Sequence, residues 1–285
     1  MEPTIVCPFD RDLIEHIENR AVVVDVSSPF DVIHAAACVS GRNNLVAVRL
    51  HWSEELSALP FHESWKGIPL VVYAPRFGEF RRFIQMIALL RTLRPQVFLS
   101  SDYVGSCTSL QCMASLGISC GLLFGDKPID WESVNGLMHY AVYGKAQHAP
   151  IEPFRYGVSH YDPCAFTSLR GAYFDDPAQY VHVDENLNVA LVAHHMRTRV
   201  FVGAGIATTH AAALAVALRE YSRRWQQHMR ALDCCSFCPA FRLCCGHFAS
   251  ADAPLGCRAF FSDFLDAADF HRTSRALAGA NVAWP

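Results

Sequence analysis

Six of the chain's twelve cysteines stand between residues 234 and 257, in the stretch DCCSFCPAFRLCCGHF and the ADAPLGC that follows. A cysteine that only packs behaves as a small apolar side chain and scatters among core positions, so a cluster at short spacing calls for chemistry. Cys235 and Cys238 have two residues between them, the chelating turn in which two thiolates meet one metal and nearby backbone N–H groups soften their charge. Cys244 follows after five residues and Cys257 after twelve more. Four thiolates suit a tetrahedral zinc ion or a 4Fe-4S cluster, and spacing alone accepts either. Cys234 and Cys245 adjoin primary candidates and are the reserve ligands. A disulfide framework is not expected, because the first residues do not read as a secretory signal and a chain this long needs no staples.

Other patterns that could carry chemistry are thinner. Gly203 and Gly205 begin like a dinucleotide loop, but Thr208 stands where the third glycine belongs, and the context is a hairpin instead of a strand–helix unit. His194 and His195 are adjacent, so their rings diverge, and they read as surface or packing residues. Cys107, Cys112 and Cys120 fall in an expected helix and strand and read as core cysteines; Cys7, Cys38 and Cys164 are isolated. No Ser-His-Asp or phosphate-loop pattern occurs.

The elements that must position the cysteines alternate in type. Residues 21–26 (AVVVDV) form a β-branched run bounded by serines and a proline, as in a strand buried on both faces, and a helix over 29–39 follows with Ser28 as its cap. Further strands are expected at 45–50, 68–74, 96–100 and 118–124, and helices at 53–59, 80–93 and 105–116. In the helix over 80–93, Phe80, Phe83, Ile84, Ile87, Leu90 and Leu93 recur at helical spacing. Such alternation argues parallel βαβ units, either an open sheet or a partial barrel. The pattern weakens from 128 to 177, where one more helix and strand precede a connector. Residues 180–184 and 189–193, joined by ENLN, read as an antiparallel hairpin, which sets a domain boundary near 175. A helix over 209–232 then delivers the chain into the cysteines; Arg219, Arg223, Arg224 and Arg230 form its solvated face.

Composition limits the classes. With 285 residues, 52% hydrophobic and 18% charged, the chain is globular. A net charge of -3 offers no basic footprint for nucleic acid. The richest apolar run, residues 83–90, contains Gln85 and is followed by Arg91, so no membrane span is expected and the cytoplasm is the expected compartment.

The hairpin, the turn at Val202 and Gly203, the amphipathic helix and then C-x2-C-x5-C with a later cysteine resemble the SPASM or twitch domain that follows the barrel in radical SAM peptide-modifying enzymes. The resemblance is most specific over residues 180–269; more loosely, the preceding βα units resemble the radical SAM partial barrel. It implies an α/β domain over 1–175, a small cysteine-rich α+β domain over 176–285, and one auxiliary 4Fe-4S cluster on Cys235, Cys238, Cys244 and Cys257. Two departures matter. The family often adds a cysteine just after the hairpin, where this chain reads NVALVAHH. Its catalytic Cys-x3-Cys-x2-Cys loop is also missing; after residues 21–26 the chain reads SSPFDVIHAA. The resemblance therefore implies an accessory protein in maturation of a ribosomally made peptide, partnered with a radical SAM maturase or its precursor peptide and not itself cleaving AdoMet. The alternative is a zinc-stabilised binding or scaffold protein. Strand ends at Asp25, Ser27, Ala74, Ser100, Ser101, Asp102 and Gly125 are expected to line a binding mouth.

Overall fold

The apolar runs become the strands of an α/β fold, seen in a computed structural model that describes residues 2–41, 43–125, 127–204, 211–230, 235, 237–244 and 254–277. The chain forms two compact units, one of residues 1–98 with 173–224 and the other of 99–172 with 225–285.

In the first unit the strands are β1 (Thr4–Pro8), β2 (Ala21–Val26), β3 (Asn44–His51), β4 (Leu70–Ala74), the first three residues of β5 (Gln96–Ser100), β8 (Tyr180–Val183), β9 (Asn188–Ala190) and β10 (Gly203–Ala204). Their order in the sheet is β10-β9-β8-β1-β2-β3-β4-β5. Pairing is parallel from β8 through β1, β2 and β3 to β4, and antiparallel at β8–β9 and β9–β10. The expected hairpin therefore exists, but its first strand continues the parallel sheet on β1. The reason is β1 itself: TIVCP is a five-residue strand that follows Pro3 and ends on Pro8, too short to show a period, yet Ile5, Val6 and Cys7 are fully buried in it. It is the first strand, ahead of residues 21–26.

Three helices serve this sheet. α1 (Arg11–His16) starts at Asp10, whose carboxylate accepts the Leu13 N–H at 2.8 Å. α2 (Asp31–Val39) packs Val32, Ala35, Ala36 and Val39 toward β2 and β3. It begins two residues later than expected, so Ser28 stands in the turn before it, where its Oγ accepts the Phe30 N–H at 3.3 Å and its carbonyl the Asp31 N–H at 3.1 Å. α3 (Phe80–Leu93) buries Phe83, Leu90 and Leu93 and ends on Arg94 in the left-handed region. Phe80 and Ile84 stay exposed, so the apolar stripe is narrower than its sequence pattern. Each fully buried aromatic or aliphatic side chain contributes about 1.5–3 kcal/mol relative to exposure.

The second unit holds α4 (Ser106–Ser115), β6 (Cys120–Leu123), α5 (Trp131–Tyr143), β7 (Ile151–Glu152) and α6 (Phe154–His160), with β6 and β7 parallel. In the first unit, α7 (Ala193–Arg197) and α8 (Ala211–Arg230) follow β9 and β10. On α8, Arg219, Arg223 and Arg224 are exposed, and Glu220 pairs with the latter two. The second unit resumes with α9 (Phe241–Cys244) and α10 (Pro254–Leu277), the latter packed on α5 and α6. Phe154, Phe260, Phe261 and Phe264 form its core, and Gly157 is glycine because a Cβ there would overlap the Phe264 ring. Among the described residues no helix is long and apolar enough to cross a membrane.

Candidate functional site

The four candidate ligands belong to the second unit, where a tight turn carries two of them. The Cys238 N–H bonds the Cys235 carbonyl at 3.2 Å, and the Phe241 N–H bonds the Cys238 carbonyl at 3.1 Å, leading into α9. Cys244 closes that helix through its N–H to the Ala240 carbonyl at 3.1 Å. Cys257 comes from the first turns of α10. Cys235, Cys244 and Cys257 are buried and Cys238 is half-buried.

The Cys257 thiol is hydrogen-bonded to the Cys244 thiol and lies within electrostatic reach of Cys238 and Cys235. That bond, then burial, then repulsion from the neighbouring sulfurs push the Cys257 thiol strongly upward. Burial also raises the Cys238 thiol, against the nearby backbone N–H groups of Ala240 and Phe241, which favour the thiolate. Among the described residues no three His, Cys, Asp or Glu side chains stand at coordination spacing around one point, so the four thiols are neighbours and not yet a closed ligand shell. Their donor chemistry fits zinc and a 4Fe-4S cluster alike. Cys234 and Cys245 lie outside the described residues, as do Gly205, Thr208 and Phe248. Of the aromatics near the cysteines in sequence, Phe260 and Phe261 are buried, whereas Phe237 is 89% exposed between Cys235 and Cys238. Among the expected core cysteines Cys120 is buried, but Cys112 is exposed on α4 because it falls on the outer side of that helix.

The first unit carries a polar constellation that sequence reasoning missed except for Asp25. The register sets Asp25 opposite Arg49 and His51 opposite Tyr73 at the carboxyl ends of β2, β3 and β4. Arg49, 6% exposed, donates from Nε at 2.5 Å and Nη2 at 2.7 Å to the two Asp25 oxygens, and from Nη1 at 3.1 Å to the Tyr173 carbonyl. His51 Nε2 is 3.3 Å from Asp25 Oδ1. Burial alone would raise the Asp25 carboxyl, yet Arg49 and His51 hold it at about 2. The Tyr73 hydroxyl is buried without an aligned hydrogen bond, and burial raises its pKa. On β8, His182 Nε2 lies 2.9 Å from Asp175 Oδ1, the oxygen that also accepts the Ala193 N–H at 2.7 Å. Opposite charges inside two β-branched runs, AVVVDV and LVAVRL, were the available signal.

The strand-end residues expected to line a mouth serve closure in their own units. Both Asp25 oxygens are taken by Arg49, Ala74 is buried, and Ser27 remains exposed. In the second unit Ser100 Oγ accepts the Asp102 N–H at 3.2 Å, Ser101 Oγ the Gly125 N–H at 3.1 Å, and Asp102 Oδ1 the Lys127 N–H at 3.0 Å. A Cβ at Gly125 would overlap the Asp102 carboxylate, so glycine permits that close approach.

Glu152, at the end of β7, is the most perturbed carboxyl of the second unit: burial lifts it to about 7 against the Tyr156 N–H, which bonds Oε2 at 2.8 Å. A raised folded value means full stabilisation below the ordinary 4.5 and a loss as pH rises from there through 7. The loss amounts to about 3 kcal/mol. Urea denaturation of Glu152→Gln across that window should show a flat profile; a slope equal to the native chain's would refute the assignment. None of the known family models, curated proteins or solved structures matches this chain.

Proposed function

We propose that Cys235, Cys238, Cys244 and Cys257 hold one metal centre, a 4Fe-4S cluster, in an accessory protein for radical SAM maturation of a ribosomally made peptide. The observation that carries the metal site is the meeting of thiols from separate segments: Cys257 on α10 bonds Cys244 on α9, with both sulfurs of the 235–238 turn in reach. The backbone N–H groups of Ala240 and Phe241 near Cys238 favour a bound thiolate. The accessory role rests on the resemblance of residues 180–269 to the SPASM or twitch domain, together with a parallel sheet preceding them. A cluster would supply one-electron chemistry or rigidity; the chain's own residues supply thiolates, exclude water through Phe260 and Phe261, and leave Cys238 as the ligand nearest solvent. The partner is a radical SAM maturase, its precursor peptide, or both.

Zinc is the second reading, favoured by the closed aromatic core of Phe154, Phe260 and Phe264, which such an ion would only need to brace. Anaerobic purification separates the two. Broad blue-edge visible absorption with bound iron supports the cluster; a colourless protein with one zinc supports the second reading, and no bound metal refutes both.

Cleavage of AdoMet is not expected. The loop after β1 is Phe9 and Asp10, with Asp10 spent on capping α1, and no cysteine triplet follows β1 or β2. Iron-reconstituted protein given a strong reductant and AdoMet should form no 5′-deoxyadenosine; sustained turnover in homogeneous protein overturns the accessory role.

A further inference from the structure

Two helices deliver buried thiols to the proposed centre, α9 with Cys244 and α10 with Cys257, and α9 has only four residues. So short a helix cannot hold its own orientation through backbone bonds. Arg242, two residues before Cys244, ties it down. Its Nη1 donates to the Pro163 carbonyl at 2.7 Å, and its own carbonyl accepts the Thr167 N–H at 2.9 Å. The guanidinium lies over the buried Tyr161 ring, 5.4 Å from the centroid. The Tyr161 hydroxyl in turn donates to Asp269 Oδ2 on α10 at 3.3 Å, and Arg272 binds the other Asp269 oxygen at 3.2 Å.

α9 is therefore attached to α10 at two places. One is the Cys244–Cys257 thiol contact. The other is the chain Arg242–Tyr161–Asp269, which reaches α10 twelve residues beyond Cys257, about 18 Å along the helix at 1.5 Å per residue. A single contact would leave α9 free to pivot; two so far apart set its angle. We infer that Arg242 and Tyr161 are positioning residues that hold Cys244 against Cys257 before metal arrives, so that the ordering cost of closing the thiolate shell is met in folding and not in binding. The inference rests on the four-thiolate reading above. It treats Arg242 as acting through Cys244 and not as a ligand.

The test is titration of the metal-free, reduced full-length chain with Co2+, whose thiolate charge-transfer and ligand-field bands report the number of sulfurs bound. Arg242→Met is expected to weaken Co2+ about 10- to 100-fold, the range for residues that orient ligands, while the four-sulfur spectrum persists at saturation. Tyr161→Phe keeps the ring beneath Arg242 and removes the bond to Asp269, so it should weaken Co2+ in the same direction by less; Arg242→Lys should recover part of the loss. A residue that only stabilised the fold would lower the urea midpoint of the metal-free protein and leave the affinity of the folded fraction unchanged. Unaltered Co2+ affinity in Arg242→Met and Tyr161→Phe overturns the inference, and if Arg242→Met fails to fold, Tyr161→Phe decides alone. Native protein that binds no Co2+ through sulfur removes the four-thiolate reading, and this inference with it.

Discussion

Arg49→Met is expected to destabilise the first unit by about 2–4 kcal/mol, below the full cost of an unpaired buried charge because the Asp25 side chain left behind is 27% exposed. Asp25 opposite it keeps only His51 at 3.3 Å once the two short guanidinium bonds are gone. For a unit of this size the loss lowers the thermal midpoint by roughly 10 °C. The double variant Asp25→Leu with Arg49→Met should regain most of the stability, because an apolar pair of similar volume leaves nothing unpaired. The pH profile of the native chain gives a second handle. With the Asp25 carboxyl held at about 2, below its ordinary 3.8, its stabilisation is present above that ordinary value and is lost as pH falls through 2. Asp25→Asn should abolish that acid limb. A loss under about 1 kcal/mol in Arg49→Met, measured by urea denaturation, would show that the pair contributes little.

Single serine replacements at Cys235, Cys238, Cys244 and Cys257 are each expected to weaken metal retention by on the order of 100-fold or more, since changes in the outer shell alone cost 10- to 100-fold. Cys112→Ser, exposed on α4, should leave it untouched. Metal binding to thiolates is coupled to folding, so chelator treatment should lower the thermal midpoint of the native protein and not that of Cys257→Ser. Cys257 is the sharpest of the four: it alone comes from α10, and its loss also removes the thiol contact with Cys244. Iron and zinc content of the five variants, measured after the same chelator wash, decides the ligand set. Retention in Cys257→Ser equal to that of the native chain would move the fourth ligand elsewhere.

Most of the first unit was legible residue by residue. AVVVDV, LVAVRL and QVFLS lack polar interruption except at single positions and emerge as strands from periodicity with errors of a few residues at the ends; α2 follows AVVVDV, but the helix expected over 53–59 after LVAVRL is only a 3-10 turn at Leu56–Ala58. β1 escaped because the four residues between Pro3 and Pro8 carry no readable period, whereas the last helix and strand expected after residue 128 are α5 and β7. The role of the 180–193 hairpin was only half visible. Alternation shows two strands and a turn, but that Tyr180–Val183 also pairs with Thr4–Val6 depends on residues about 175 positions away.

The cysteine spacing by itself determined which thiols are candidates, because a two-residue interval is a property of the local chain. Their meeting was a tertiary matter. Cys257 meets Cys244 as α10 packs on α5 and α6 through Phe260 and Phe264, an arrangement decided by burial of aromatic surface and not by the cysteine spacing. The same division holds at the sheet. Sequence shows Asp25 and Arg49 as lone charges in apolar strands, but a shift of register by one residue would turn them to opposite faces. The observed register, with its irregularity between Val22 and Val23, brings them opposite each other. Strand pairing is chosen by the whole buried face at once, and no stretch of β2 or β3 taken alone contains that choice.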